Sequence, residues 1–351
     1  MTAGLGIRLF VLPSRVHQRQ FGGTMTRNRI VTCLAIIGVL CLPPSLAAAQ
    51  QKPEEPPAKN LKVLPKDTSH EEIDRLMSGY ARALGVRCNH CHVGEPGKMR
   101  AEDFPLDDKP EKEKARQMIR MTNDLNEKYL SALASRENPP IRIECVTCHR
   151  GVTEPRKLQD ILRAEYDRGG IDSTLARYQA LRDRYYGRAA YDFGDAPLAD
   201  LAGQVKAAGN PAGAVRLLTF NVEMNPKSNG AKRQHAAGAI GMAFQQAGRD
   251  SGAAAYHALQ KSYGEKLVGE PLLNDVGYQL LFGGAGEAAL QAFRFNADEH
   301  PESGNAFDSL GEALADQGKK QDAIEAYTMA IKLDPTNENA KARLAELTSG
   351  E

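Results

Sequence analysis

Apolar residues follow three different patterns along this chain. Between Ile30 and Leu42 they form one nearly unbroken run, preceded by Arg27 and Arg29 and followed by Ala47-Ala48-Ala49. From Thr68 onward they recur at the 3.6-residue spacing of amphipathic helices. A first helix is predicted over about 68–84, with Ile73, Met77, Tyr80, Ala81 and Leu84 on one stripe. Ser69 and Glu72 stand at the spacing of a capping box, and Gly85 is its natural stop. A second helix is predicted over about 111–134, its stripe being Met118, Met121/Thr122, Leu125, Tyr129 and Ala132, with Pro139-Pro140 beyond it. Two further helical segments, about 157–168 and 173–186, are broken by Gly169-Gly170 and read as a hairpin.

From residue 195 a longer period takes over. Phe307, Leu310, Gly311, Leu314, Ala323, Tyr327, Ala330 and Pro335 recur 34 residues earlier as Leu273, Val276, Gly277, Leu280, Ala289, Phe293, Asn296 and Pro301. They recur again as Leu198, Leu201, Ala202, Val205, Ala214, Leu218, Asn221 and Pro226, and more weakly as Ala237, Ile240, Gly241, Phe244 and Ala253. Small residues at the close-packing points, large ones between them and a proline at the end make the tetratricopeptide pattern. Leu344 and Leu347 lie on a final, more polar helix that would cap the stack.

The apolar run of residues 30–42 is short for a bilayer span. With its basic flank and small-residue end it reads as a secretory signal over 25–49, cleaved after Ala49, with translation starting at Met25 and residues 1–24 an upstream mis-start. The expected location is the periplasm, and membrane association is expected only through a partner or an uncleaved signal. Cys33 and Cys41 would leave with this segment, and neither follows the small residue that a lipoprotein signal wants.

Composition then narrows the function. With 25% charged and 42% hydrophobic residues the chain is of ordinary soluble character. A formal charge of +1 gives no basic excess for nucleic acid. Residues 1–49 hold five arginines and no acids, so the chain after Ala49 carries 40 bases against 44 acids. Aromatics are only 6% and tryptophan is absent, so either Ala/Leu helices or something that is not protein must fill the core.

Four cysteines remain beyond residue 49, in two copies of one motif: Cys88-Asn-His-Cys91-His92 and Cys145-Val-Thr-Cys148-His149. This is the c-type haem attachment pattern. Residues i, i+3 and i+4 share one side of a helical turn, so two thiols can reach the two vinyl groups of one porphyrin while the imidazole meets the iron. A zinc ribbon would place its pairs about 15–20 residues apart; here 57 positions separate Cys88 from Cys145. A redox dithiol or a structural disulfide would leave both histidines unexplained. Met77 and Met118 are candidate sixth ligands, with Met121 a rival one turn along, although a methionine on an apolar helical face is equally a core residue. His70, at a helix start, and His90, between two cysteines, read as solvated. Arg87, Lys98, Arg100 and Arg150 flank the motifs and could meet propionates.

Asn60–Leu64, Leu76-Met77, Cys88–His92, Lys114–Asn126 (KARQMIRMTNDLN) and Cys145–Gly151 (CVTCHRG) together resemble the photosynthetic reaction-centre cytochrome c subunit family. The resemblance covers about residues 60–155. It implies two covalently bound c-type haems with His92 and His149 as ligands, Met77 as sixth ligand of the first haem and Met118 of the second. The full family subunit holds four haems in two such halves; this chain has one half. The histidine that serves the family's fourth haem would fall near Ala132, and no histidine lies in 93–148. Similar single halves occur as stand-alone exported proteins, so the resemblance does not imply photosynthesis.

The expected fold is all-α: a Pro- and charge-rich linker over 50–66, a dihaem c-type cytochrome domain over 67–155, a helical connector over 156–194, and an α-solenoid of tetratricopeptide repeats over 195–351. The expected function is single-electron transfer to a redox partner protein, with the repeats binding a protein or peptide. No catalytic constellation is evident. Two other classes compete: a dihaem peroxidase-like or other small-molecule oxidoreductase, and a periplasmic scaffold with structural or sensory haems.

Overall fold

A computed structural model of the 351-residue chain describes residues 56–133 and 140–349. The predicted signal, and Ala134 and Pro139 at the end of the predicted second helix, lie outside the described residues. Among the described residues twelve α-helices follow in order: α1 (His70–Leu84), α2 (Pro110–Asp124), α3 (Cys145–His149), α4 (Leu158–Tyr185), α5 (Ala196–Ala207), α6 (Pro211–Met224), α7 (Asn229–Tyr263), α8 (Glu270–Phe282), α9 (Gly286–Glu299), α10 (Gly304–Asp316), α11 (Lys320–Leu333) and α12 (Glu338–Ser349). There is no strand among the described residues, so the fold is all-α. Nor is any helix there long and apolar enough to cross a membrane.

Residues 158–349 form a stack of helix pairs. Each pair turns on a glycine with positive φ: Gly209 between α5 and α6, Gly284 between α8 and α9, Gly318 between α10 and α11. The long helices α4 and α7 hide the same device, since Gly170 (φ 69°, ψ −162°) and Gly248 (φ 76°, ψ −167°) break each into two halves. A side chain would strain such a backbone. The weakest repeat in the sequence, around residues 234–267, is therefore a full pair within α7. Its period is what obscures it: Asn229 to Glu270 is 41 residues, against 34 from Glu270 to Gly304 and from Gly304 to Glu338.

Within a pair, a small residue admits the facing ring. A Cβ on Gly277 would stand 2.5 Å from Phe293, and one on Gly311 would stand 2.9 Å from Tyr327. Phe244, Tyr256, Phe293 and Tyr327 are almost wholly buried in a core running from Ala236 to Ala340; burying one such ring contributes about 2–3 kcal/mol. A second core joins α4 to the first repeat, bringing Leu158, Leu162 and Tyr178 against Leu198, Leu201 and Leu217. The connector expected over 156–194 thus stacks as one more pair upon α5 and α6.

Residues 56–152 are built differently. Among the described residues of this segment, only Ala83 and Val152 are buried apolar side chains. Eight of the twelve large apolar residues exposed among the described residues lie between Phe104 and Val146. Helix α1 forms as predicted: Ser69 Oγ accepts the Glu72 N–H at 3.2 Å, and Gly85 closes the helix in the left-handed region at φ 68°. The carboxylate of Glu72 is held by Arg75 at 2.7 Å.

Helix α2 departs from expectation in two respects. It ends at Asp124 and continues as a π-helical turn over Leu125–Tyr129 and a 3-10 turn over Leu130–Ala132. Its apolar stripe also faces outward, with Met118 39%, Met121 44% and Tyr129 66% exposed. The face turned inward carries Arg116 and Asn126, both buried, and half-buried Lys112, Ala115, Ile119 and Thr122. Polar anchoring decides this orientation: Arg116 donates to Asp107 at 2.8 Å, and Asn126 exchanges two 2.8 Å bonds with the main chain of Ile143.

Candidate functional site

The first Cys-x-x-Cys-His motif begins three residues beyond Gly85. It is a 3-10 turn over Cys88–His90 rather than the expected α-helical turn, closed by the His92 N–H donating to the Cys88 carbonyl at 3.0 Å. The Cys88 thiol is exposed and that of Cys91 half-buried; neither is in a disulfide. Burial pushes the Cys91 thiol up. His92 donates its Nδ1–H to the carbonyl of Phe104 at 3.0 Å, and its ring meets the Phe104 ring edge-on at 5.2 Å. Burial first, and the Lys112 charge second, hold His92 below the ordinary imidazole range. A neutral ring whose Nδ1 carries the proton has its lone pair on Nε2.

The second motif is α3, which starts at a true capping box: Glu144 and Thr147 exchange side-chain-to-main-chain bonds. Cys145 is half-buried, its thiol pushed up by burial, and Cys148 is exposed. After His149 the chain reverses through Arg150 (φ 49°) and Gly151 (φ 89°), which brings the Val152 carbonyl back to accept the His149 Nδ1–H at 2.9 Å. Two unlike local backbones therefore hold both rings by the same contact, Nδ1–H to a main-chain carbonyl, which leaves Nε2 of each ring for a further partner.

Helix α1 serves both motifs. Its C-terminal carbonyl of Ala83 accepts the Gly151 N–H at 2.7 Å, tying it to the end of α3. Ser78, Ala81 and Arg82, on another face, line an open cleft with Cys88, Asn89, Pro96 and Met99. Met77 is half-buried on α1, next to the cleft face, while Met118 and Met121 lie on the outward stripe of α2. His70 begins α1 and His90 lies within the first turn, as expected. Lys98 is paired with Glu95 at 3.0 Å and Arg100 with Asp103 at 3.2 Å. Arg150 donates to the Ala189 carbonyl at 3.2 Å.

Sequence reading did not single out the polar frame behind the first motif. Asp107 accepts from Arg116 at 2.8 Å, Lys62 at 2.7 Å and Asn60 at 3.0 Å, and these contacts hold its carboxyl far below the usual range. Lys112, three residues into α2, reaches back to the Phe104 and Leu106 carbonyls at 2.7 Å each. Met99 was equally invisible, because it sits in a polar loop with no helical periodicity. Asn126 is a residue whose family likeness was legible but whose clamp on Ile143, two residues before Cys145, was not.

At each motif two unpaired thiols, an imidazole held through Nδ1 by a main-chain carbonyl and an uncovered apolar surface come together. These residues fit a covalently attached c-type haem, and the missing protein core of residues 56–152 is the volume such a group would fill. On the repeat stack, α5, α6, α7 and α8 line a separate groove where Lys206 meets Gln279 at 3.1 Å and Arg233 pairs with Asp275 at 2.5 Å.

Comparison with known proteins gives a matching picture for the N-terminal part. Residues 24–170 match the family model described as the photosynthetic reaction centre cytochrome C subunit. Over 88 residues, 23% of the chain, the sequence is 34% identical to the photosynthetic reaction center cytochrome c subunit of Thermochromatium tepidum. The chain spans only 20% of that relative's length. Among solved structures it is similar to a thermophilic TPR protein of Thermus thermophilus, at 15% identity over 55% of this chain and 97% of that one, with a TM-score of 0.26. It is also similar to YrrB, described as a TPR protein with an unusual peptide-binding site, at 12% identity over 49% and 82% of the two chains and a TM-score of 0.27. MamA from Desulfovibrio magneticus RS-1 aligns at 14% identity over 52% and 95%, with a TM-score of 0.26.

Proposed function

We propose that the chain is an exported dihaem c-type cytochrome that passes single electrons and docks to a protein partner through its tetratricopeptide stack. One observation carries the reading: His92 and His149 each give Nδ1–H to a main-chain carbonyl, so each presents Nε2 beside a Cys-x-x-Cys pair. Bound haem supplies a one-electron iron couple with little change of structure. Cys88, Cys91, Cys145 and Cys148 would hold it covalently, His92 and His149 would ligate its iron, and Met77 and Met118 are the proposed thioether ligands. The outward apolar stripe of α2 and the cleft beside α1 would help exclude water from the bound group. The signal-like segment over 25–49 supports export to the periplasm, and the groove lined by α5, α6, α7 and α8 supports docking of a protein or peptide.

The test is the intact mass of the protein isolated from the periplasm with its haem maturation intact. The expected chain begins at Gln50 and carries two haem additions, released only by cleavage of thioethers. A mass without any haem addition overturns the reading. A single addition overturns the dihaem assignment alone.

A further inference from the structure

Both histidines bond to main-chain carbonyls, yet the two carbonyls are not alike. The Phe104 oxygen that accepts from His92 also accepts from the Lys112 ammonium at 2.7 Å. That side chain is only 12% exposed and makes a second bond to the Leu106 carbonyl at 2.7 Å. Among the described residues, no side-chain cation touches the Val152 carbonyl behind His149.

The difference has a direction. The more strongly a ligating imidazole's Nδ1–H is held, the more basic its Nε2 becomes and the better it stabilises oxidised iron. A carbonyl oxygen has two lone pairs. An ammonium on one of them withdraws density from the oxygen and leaves a weaker acceptor for the ring. The positive charge also lies close to the site, in a partly buried position where screening is reduced. Asp107 does not cancel it: this carboxylate, 3.1 Å from Lys112, is shared with Arg116 at 2.8 Å and Lys62 at 2.7 Å, and among the described residues Glu113 is the only other acid on Arg116. Glu113 is itself shared with Arg120 at 3.4 Å, so four cations face two carboxylates.

We infer that Lys112 is a positioning residue for the first haem site, which by sharing the Phe104 carbonyl weakens the hold on His92 Nδ1–H and sets that haem at the higher potential of the two. The inference rests on the dihaem reading above. It makes the two sites inequivalent through a residue that is not a ligand and that lies 20 positions beyond its histidine.

The experiment is a redox titration of the full-length holoprotein, after haem content has been measured by mass, for the parent chain, Lys112→Met and Asp107→Asn. Lys112→Met keeps an unbranched apolar side chain one atom shorter, and removes the charge and both hydrogen bonds. It is expected to lower the higher of the two midpoint potentials and leave the other in place; a fall in the lower one alone overturns the inference. Asp107→Asn keeps Lys112 and removes an opposing charge, and is expected to raise that same potential. Loosening of the site and entry of water would not raise it, so the opposite signs separate tuning from damage. Two haems with both potentials unmoved, or both shifted equally, overturn the inference. If Lys112→Met takes up one haem only, Asp107→Asn decides: no rise overturns it. A parent chain without haem refutes the dihaem reading instead, and mass shows that before any titration.

Discussion

The Gly151 N–H donates to the Ala83 carbonyl at 2.7 Å, so the chain just past the second motif is bonded to the helix that leads into the first. Two residues beyond Ala83, the Cβ position of Gly85 lies 2.2 Å from the Gly151 carbonyl oxygen, and Gly85 itself has φ 68°. Contact this close leaves no room for a methyl group, and the backbone conformation would strain one as well. Gly85→Ala is expected to destabilise the protein by about 2 kcal/mol or more. It should also reduce haem attachment at Cys145 and Cys148, although the substitution lies before Cys88. Denaturant unfolding and the mass of haem-bearing peptides check this. A stable variant with normal attachment at the distant motif would show that the contact is dispensable.

Asn126 makes a sharper test of how the second motif is held. Its amide gives Nδ2–H to the Ile143 carbonyl and takes the Ile143 N–H on Oδ1, both at 2.8 Å. Replacement by alanine leaves a donor and an acceptor of Ile143 without partners in a partly buried place, at a cost of roughly 1–3 kcal/mol. Asn126→Ala should lose haem at Cys145 and Cys148 while attachment at Cys88 and Cys91 persists. Equal loss at both motifs would mean that the clamp supports the whole segment rather than α3.

The repeats were legible because their signal is internal. Gly277 under Phe293 and Gly311 under Tyr327 recur at one period, and each pair packs as its spacing says. The pair within α7 was blurred by seven extra residues, and α4 was read as a connector because its pattern does not repeat the later units. In the haem segment the cysteines, histidines and α1 were readable, since covalent chemistry and helix caps need fixed residue types. The face of α2 was not. Periodicity marks an apolar stripe but cannot say whether protein or cofactor covers it, and here Arg116 and Asn126 turn the stripe of Met118 and Tyr129 outward. Lys112 and Asp107 escaped notice because isolated charges on a helix and a loop carry no pattern of their own.

Alkaline pH should loosen the repeat stack from within. Burial pushes the phenols of Tyr256, Tyr278 and Tyr327 up to about 12, from an ordinary 10.0. A folded pKa above the unfolded one favours the protonated form of the fold. That stabilisation is complete below pH 10 and is lost as pH rises through about 12. Phenolate absorbance should show Tyr256, Tyr278 and Tyr327 ionising late, together with the loss of helix. Replacing Tyr256 by Phe removes one of the late group, and should move the alkaline midpoint of unfolding upward. A midpoint that stays in place would mean that another group limits stability there.

The outward stripe of α2 carries both candidates for the proposed second thioether ligand. Met118 and Met121 are both exposed, at 39% and 44%, and stand one turn apart on a surface left open by the described residues. Met77 is half-buried on α1, next to the face that lines the cleft beside Cys88. A thioether on the sixth position keeps the iron low-spin and its potential high. Met77→Ala and Met118→Ala should each convert one haem from low-spin and lower its potential, whereas Met121→Ala should leave both spectra unchanged. The measurement is the absorption spectrum of oxidised and reduced protein together with a redox titration. A change on Met121→Ala with none on Met118→Ala would transfer the second role by one turn. An unchanged spectrum on Met77→Ala would pass the first role to Met99, whose side chain lines the same cleft as Cys88 from the loop that α1 faces.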